Sequence, residues 1–84
     1  MTREEIYKRL NSVFQEVFDD DKIEVNDATT ADDIEDWDSF EHINLVVAVE
    51  EEFGIKIPMG KTVTLKNVGE MVDIIVEMNE KWLY

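Results

Sequence analysis

Cysteine is absent from the 84 residues, and proline and histidine each occur once. Without cysteine the chain can form neither a disulfide nor a thiolate metal site, which is ordinary for a protein of a reducing compartment. With a single histidine as well, the sequence offers no constellation of base and nucleophile. We therefore predict that the protein is not an enzyme.

Long apolar runs are also missing. The longest, residues 45–49, has five residues, against the roughly 20 that a membrane-spanning helix needs. The first ten residues, MTREEIYKRL, lack the apolar region of a secretion signal. We therefore expect a soluble, cytoplasmic protein with no membrane span. Hydrophobic residues still make up 44% of the chain, which is enough for one core, so we predict a single domain over residues 1–84.

Basic residues are scarce, since eight Lys and Arg stand against 21 Asp and Glu, for a formal net charge of −13. The excess is uneven, because residues 16–52 contain fifteen acidic residues and one basic residue, Lys22. Such a surface repels nucleic acid and anionic membranes and attracts basic protein patches. We expect protein partners with basic docking surfaces and no nucleic acid.

Three segments show the apolar periodicity of amphipathic helices, namely residues 2–18, 39–53 and 68–82. A capping signal opens each segment. The pairs are Thr2 with Glu5, Asp38 with Glu41, and Asn67 with Glu70. The pattern predicts an all-α fold, a small bundle of three long helices plus one short helix or turn.

The second helix has a broad apolar face. Its predicted buried face consists of Phe40, Ile43, Val46, Val47 and Phe53, widened by Leu45 and Val49. Gly54 follows directly, where a left-handed residue is expected to end the helix.

Two connecting segments lack clear periodicity. Residues 19–37 are polar and acidic, with no glycine or proline. Because a structureless stretch of this length is unusual in a compact domain, we predict an ordered connection pinned to the core by Ile23, Val25, Ile34 and Trp37. Residues 59–66 have poor helix propensity, which leaves a single turn or an irregular loop.

The candidate functional residue is a serine at the start of the second helix. If Asp38 caps this helix, Ser39 occupies its first position and its hydroxyl is free to point outward. A helix N-terminus favours a phosphate through its free N–H groups and its dipole, although Asp36, Asp38 and Glu41 would repel one somewhat. Local pattern alone does not distinguish a modified serine from an ordinary N-cap serine.

The sequence around this serine resembles that of acyl carrier proteins. Residues 38–40, Asp-Ser-Phe, resemble the Asp-Ser-Leu motif of the family. Residues 45–58, LVVAVEEEFGIKIP, are similar to its second helix and the loop that follows. The last helix begins with Asn67 and Val68 at the family's spacing from the motif. The resemblance covers essentially the whole chain and implies an acyl-carrier-like bundle.

The resemblance also implies a covalent cofactor and a set of partner enzymes. A phosphopantetheinyl transferase would attach 4′-phosphopantetheine to Ser39, beside Asp38 of the motif. The thiol of the cofactor would then carry acyl or aminoacyl groups as thioesters between loading and transferring enzymes. No metal site is expected, and the carrier is expected to be a monomer. The docking residues implied on the second helix are Glu41, Val47, Glu50 and Glu51.

Four residues depart from the carriers of fatty acid synthesis. Phe40 replaces the usual leucine, and Trp37 stands where a small residue is common. His42 and Asn44 lie on the second helix where those carriers often have other residues, and Asn44 occupies a frequent glutamate position. The Trp-Asp-Ser sequence resembles carriers of specialised pathways, so we predict a specialised role over housekeeping fatty acid synthesis. The alternative is an unmodified acidic interaction domain or a calcium-responsive helical module.

Other residues have both a structural and a functional interpretation. A loop tryptophan such as Trp37 is typically a hydrophobic anchor, and a lone histidine such as His42 is typically a surface residue. Val46, Val47 and Met71 could line a pocket for cargo, but their helical spacing first of all favours the core.

Overall fold

Residues 1–81 are described by a computed structural model of the chain, and they form helices joined by ordered connections. The helices are α1 (Arg3–Val17), α2 (Ser39–Phe53), the short α3 (Met59–Thr62) and α4 (Val68–Lys81). A 3-10 turn at Ala31–Asp33 interrupts the first connection, and no strand occurs in these residues. The predicted all-α class, with three long helices and a short one, is confirmed. Residue 82, the predicted end of the last helix, lies outside the described residues.

The predicted capping residues are present at all three long helices. Each side-chain oxygen accepts a hydrogen bond from a backbone N–H three residues later: Thr2 from Glu5 at 3.1 Å, Asp38 from Glu41 at 2.8 Å, and Asn67 from Glu70 at 2.9 Å. Gly54 ends α2 in the left-handed conformation, with φ of 64°. These local bonds satisfy backbone groups that a helix end leaves free, which is why the helix boundaries could be predicted closely.

The core lies where α1, α2 and α4 meet. All three helices contribute side chains with no exposed surface, namely Ile6, Leu10, Phe14, Leu45, Val49, Val68, Val72 and Ile75. Burial of one such side chain stabilises the fold by about 1.5–3 kcal/mol. The helices are therefore held together mainly by apolar packing, in agreement with the absence of cysteine.

The buried face of α2 differs from the predicted one. Phe40, Ile43 and Val47 are 72%, 65% and 47% exposed, and Val46 is only half-buried. The buried residues are Leu45, Val49 and Phe53. They are spaced by four residues along the helix that packs against α1. The prediction is confirmed for these three residues and wrong for the other four, because α2 is apolar around most of its circumference, so that its periodicity does not define one face.

The long connection between α1 and α2 is ordered, as predicted. Asn11 Oδ1 accepts a hydrogen bond from Val25 N at 2.6 Å, and Gln15 Nε2 donates to Ile23 O at 2.9 Å. Val25 is buried, and the other three predicted anchors pack against the core with part of their surface exposed. Side chains of α1 thus supply partners for backbone groups that no regular structure satisfies.

The same connection also accepts hydrogen bonds from the first backbone N–H groups of α4. Thr29 O accepts from Val68 N at 2.8 Å, and Asp27 O accepts from Gly69 N at 3.1 Å. A Cβ atom at position 69 would lie 2.9 Å from Asp27 O. This close approach of two backbones requires glycine, and the sequence pattern contains no sign of it.

An ionic cluster ties α1 to this connection and to α4. The Arg3 guanidinium pairs with Asp27 at 2.8 Å and with Asp73 at 2.7 Å, and the Tyr7 hydroxyl donates to Asp27. The hydrogen bonds from Tyr7 and Arg3 hold the pKa of Asp27 below its ordinary value. Burial, followed by the hydrogen bond to Asp27, raises the pKa of Tyr7 to about 12.

The Tyr7–Asp27 contact predicts an alkaline limit to stability. The pKa of folded Tyr7 is raised from 10.0 to about 12. The contribution of Tyr7 to the free energy of unfolding is therefore fully present below pH 10 and is lost as the pH rises through about 12. The stabilisation by Asp27 has the opposite pH dependence. Because the pKa of Asp27 is lowered, its contribution to the free energy of unfolding is lost as the pH falls below the ordinary aspartate range. Titration of phenolate absorbance should show a late ionisation that Tyr7→Phe lacks. Ionisation of both tyrosines of wild type near pH 10 would contradict the contact.

Candidate functional site

The candidate serine lies at the surface, at the first residue of α2. The N-cap before it is Asp38, whose carboxylate accepts from Glu41 N at 2.8 Å and whose carbonyl accepts from His42 N at 2.9 Å. Capping is therefore carried out by Asp38, and the hydroxyl of Ser39 is not needed for it. The local geometry matches the one inferred from the sequence.

The start of α2 suits a phosphodiester on this hydroxyl. The N–H of Glu41 donates to the Asp38 carboxylate. The N–H groups of Ser39 and Phe40 lie in the first turn, where no helical carbonyl precedes them by four residues, so they have no acceptor inside the helix. These groups, together with the positive end of the helix dipole, favour a phosphate. The residues present thus fit a phosphate-linked group at Ser39.

An open cleft of about 960 Å³ begins at Ser39 and runs between α2 and α3. Its α2 wall includes His42, Ile43, Val46 and Val47. The opposite wall is formed by α3 and the residues that flank it, namely Ile57, Met59, Thr62, Val63 and Leu65. The volume is within the range of small-molecule sites. Val46 and Val47 thus line a cleft, as the cargo-pocket interpretation requires.

Met71, the third residue of that interpretation, lies elsewhere. Its side chain is 1% exposed and belongs to the core, and it does not line the cleft. For Met71 the core interpretation is therefore the correct one.

His42 is not the surface histidine that the sequence suggested. It is half-buried, its Nδ1 accepts from Trp37 Nε1 at 3.0 Å, and its Nε2 lies 2.8 Å from Thr62 O. Because a carbonyl only accepts and an indole N–H only donates, Nε2 carries the proton in this arrangement. The imidazole thus links the segment before Ser39 to the end of α3.

Trp37 is a hydrophobic anchor, as expected. Its indole meets the Phe14 ring edge-on, with centroids 5.3 Å apart, and lies 6.2 Å from the Phe18 ring. It also lies beside His42 in a nearly parallel plane, with centroids 6.0 Å apart and an interplanar angle of 15°. The residue two positions before Ser39 is therefore held between α1 and α2.

The four predicted docking residues all lie on α2, in different environments. Glu51 and Val47 are exposed, whereas Glu41 is partly exposed. Glu50 is partly buried, and its carboxylate accepts from Ile57 N at 2.7 Å. Glu50 therefore holds the loop after α2, a structural role that the sequence did not reveal.

A set of apolar side chains near Ser39 was missed as a surface. The exposed residues are Phe40, Ile43, Met59 and Val63. They come from α2 and from α3 and its C-terminal end, on both sides of the cleft. An exposed apolar group of this kind is typical of an interaction site. The poor helix propensity of residues 59–66 predicted only a single turn or an irregular loop there and did not indicate an apolar surface.

No group of three or more His, Cys, Asp or Glu side chains among the described residues is arranged to hold a metal ion. None of the helices in residues 1–81 combines the length and the apolar character that crossing a membrane requires.

The fold and the site are those of a small helical carrier protein, and comparisons with known proteins agree. The profile of a family described as "Phosphopantetheine attachment site" matches residues 8–75. The acyl carrier protein of Acidothermus cellulolyticus is 36% identical over 75 residues, which cover 89% of each chain. That of Lactobacillus johnsonii is 38% identical over 77 residues, covering 89% of this chain and 94% of the relative.

A solved structure agrees with these relatives. The solution NMR structure of the holo acyl carrier protein from Geobacter metallireducens has a TM-score of 0.85 and 39% sequence identity, and the match covers 92% of this chain and 88% of that one. The chain therefore belongs to the acyl carrier protein family. It is a carrier with covalently attached 4′-phosphopantetheine and not a catalyst, so the predicted family and cofactor are confirmed.

Proposed function

We propose that Ser39 carries the 4′-phosphopantetheine and that the protein passes acyl or aminoacyl groups between enzymes of a biosynthetic pathway. The thiol of the cofactor supplies the thioester bond, and the chain supplies the attachment point and the surface around it. The observation that carries the proposal is the exposed hydroxyl at the first position of α2, left free because Asp38 caps the helix. We further propose that the carrier acts as a monomer in the cytoplasm.

Incubation with coenzyme A and a broad-specificity phosphopantetheinyl transferase tests this proposal directly. The intact mass of the chain should rise by one phosphopantetheine. Fragmentation should locate the added mass on Ser39. A mass that does not change, or a group located on another residue, would contradict the proposed site.

Partner enzymes are proposed to dock on α2 and α3 around Ser39 through basic patches combined with apolar contacts. Glu41 and Glu51 supply negative charge, and Val47 lies between them on the same helix. Exposed apolar side chains on both sides of the cleft support such a mixed surface. Glu50 contributes to the negative potential of this surface while it holds Ile57.

Charge reversal at Glu41 should slow modification by the transferase. A unit charge pair at 4 Å is worth about 1 kcal/mol in water, and reversing one charge turns this attraction into an equal repulsion, so Glu41→Lys should lower the rate by up to about thirty-fold at low salt. The loss should shrink at high salt, because the Debye length falls from about 10 Å at 0.1 M to about 3 Å at 1 M.

Glu16→Lys is the matched control, since it makes the same charge change at an exposed position of α1. Its modification rate should stay close to that of wild type. Equal losses in the two variants would indicate a net-charge effect and contradict docking at α2.

A specialised pathway, rather than housekeeping fatty acid synthesis, is the proposed setting. Asn44 is exposed on α2, where it places a neutral amide on the docking helix. Its Nδ2 also donates to Glu41 Oε1 at 3.4 Å. The neutral side chain at position 44 leaves this face with less negative charge than a glutamate there would give it.

Assays of a fatty acid elongation enzyme on the loaded carrier test this setting. Wild type should be a poor substrate, and Asn44→Glu should be a better one because it adds a negative charge to the docking helix. Asn44→Gln keeps the amide and should behave like wild type. If wild type matches an authentic fatty acid carrier in this assay, the specialised role is wrong.

A further inference from the structure

One pair of side chains, Trp37 and His42, forms the inner wall of the cleft that begins at Ser39. The two rings are nearly coplanar, with an interplanar angle of 15°, and share the hydrogen bond from Trp37 Nε1 to His42 Nδ1 at 3.0 Å. The wall is fastened on the α3 side as well, because His42 Nε2 donates to Thr62 O at 2.8 Å. Two directional hydrogen bonds thus hold the pair in one arrangement.

The apolar core lies directly behind this wall. Phe14 is fully buried, and its ring centroid is 5.3 Å from that of Trp37. Among the described residues, none of those that line the cleft belongs to α1 or α4. The Trp37–His42 pair therefore separates the cleft from Phe14 and the α1 side of the core, while the core residue Ile57 lines the cleft on its α3 side.

The outer side of the cleft is open to water. Ile43 and Val47 on α2, and Met59 and Val63 across the cleft, are all exposed. A chain lying between them keeps one side in solvent, so each further methylene removes little apolar surface from water. The less exposed cleft residues include Val46, Ile57, Thr62 and Leu65, so only the few carbons that contact them are shielded from water.

We propose that the Trp37–His42 pair determines cargo specificity by barring the carried group from the part of the core around Phe14. The pair limits the cargo that the protein can stabilise to short apolar acyl groups. This inference rests on the proposed attachment of the cofactor to Ser39, from which the cleft begins. Removal of the pair should connect the cleft to the space beside Phe14 and admit longer chains.

The test loads the full chain with butyryl, hexanoyl, octanoyl and decanoyl forms of the cofactor, each transferred from its coenzyme A thioester. The melting temperature of each acyl form is compared with that of the same protein carrying the free thiol. In wild type the shift in melting temperature should be the same for all four acyl groups. In Trp37→Ala it should grow with chain length, so that the decanoyl form exceeds the butyryl form by about 4 °C or more.

Two further variants make the result specific. His42→Ala breaks the wall from its other side and should show the same trend, and it decides the test if Trp37→Ala does not fold. Ile6→Ala opens a core void about 12 Å along α1 from Phe14. It should lower the melting temperature of every form and keep the length-independent profile of wild type.

Each outcome decides between the pair and its alternatives. A wild-type shift that rises with chain length, or a length-independent shift in both Trp37→Ala and His42→Ala, would overturn the inference while leaving the attachment site intact. Wild type that gains no mass during loading would overturn attachment at Ser39, and the inference with it.

Discussion

Replacement of Ser39 by alanine should abolish attachment of phosphopantetheine and leave the helical fold intact. The hydroxyl is the only group at the start of α2 that the proposal requires, and it takes no part in capping. Asp38 keeps its hydrogen bond to Glu41 N at 2.8 Å in the variant, and alanine is a good helix former. Intact mass after incubation with coenzyme A and the transferase measures attachment, and a thermal melt measures folding.

The other serine of the chain is the natural control. Ser12 lies inside α1, where its hydroxyl is 3.5 Å from Lys8 O. Ser12→Ala should therefore accept one cofactor per chain, as wild type does. A Ser39→Ala chain that still gains the mass of the cofactor would rule out the proposed site.

Truncation of Phe53 should produce the largest loss of stability on α2. Its side chain is 7% exposed, and the Arg9 guanidinium lies 4.8 Å from its ring centroid. Replacing a buried phenylalanine by alanine leaves a cavity and costs about 3–5 kcal/mol. This is a large share of the roughly 5–15 kcal/mol by which a domain is stable against unfolding. Phe53→Ala should lower Tm by at least about 12 °C, measured by calorimetry.

The same substitution at Phe40 provides a matched comparison on the same helix. Phe40 is 72% exposed, so Phe40→Ala should change the free energy of unfolding by no more than about 0.5 kcal/mol. Comparable losses of Tm in the two variants would mean that the buried face of α2 is not the one formed by Leu45, Val49 and Phe53.

Local features of the chain were readable from the sequence. The capping residues Thr2, Asp38 and Asn67 and the terminating Gly54 act on backbone groups within a few residues of themselves. Their effect does not depend on what the helix packs against. For this reason the helix bounds and the free hydroxyl of Ser39 could both be predicted.

Membership of the family was readable as well, for a different reason. The Asp-Ser-Phe motif and residues 45–58 are contiguous in the sequence, so their likeness to carrier proteins needs no tertiary structure. The cofactor followed from the family and not from local geometry, since a serine at a helix start is most often a simple cap.

Contacts between distant segments were decided by the tertiary structure. His42 is held by Trp37 and by Thr62, which is 20 residues away, and Gly69 is required by the approach of Asp27. Glu50 bonds to Ile57 N across the turn after α2. Each of these roles depends on a partner that periodicity along one element does not specify.

The orientation of α2 shows the physical reason most clearly. Its apolar residues occupy most of its circumference, so several faces are nearly equal in hydrophobicity and the sequence alone does not select one. Packing against α1 buried Leu45, Val49 and Phe53. The opposite side, with Ile43 and Val47, was left to line the cleft at Ser39. The sequence by itself determined where α2 begins, where it ends and that its first residue is a free serine; only the packing of the helices decided which of its apolar residues became core and which became the surface around the site.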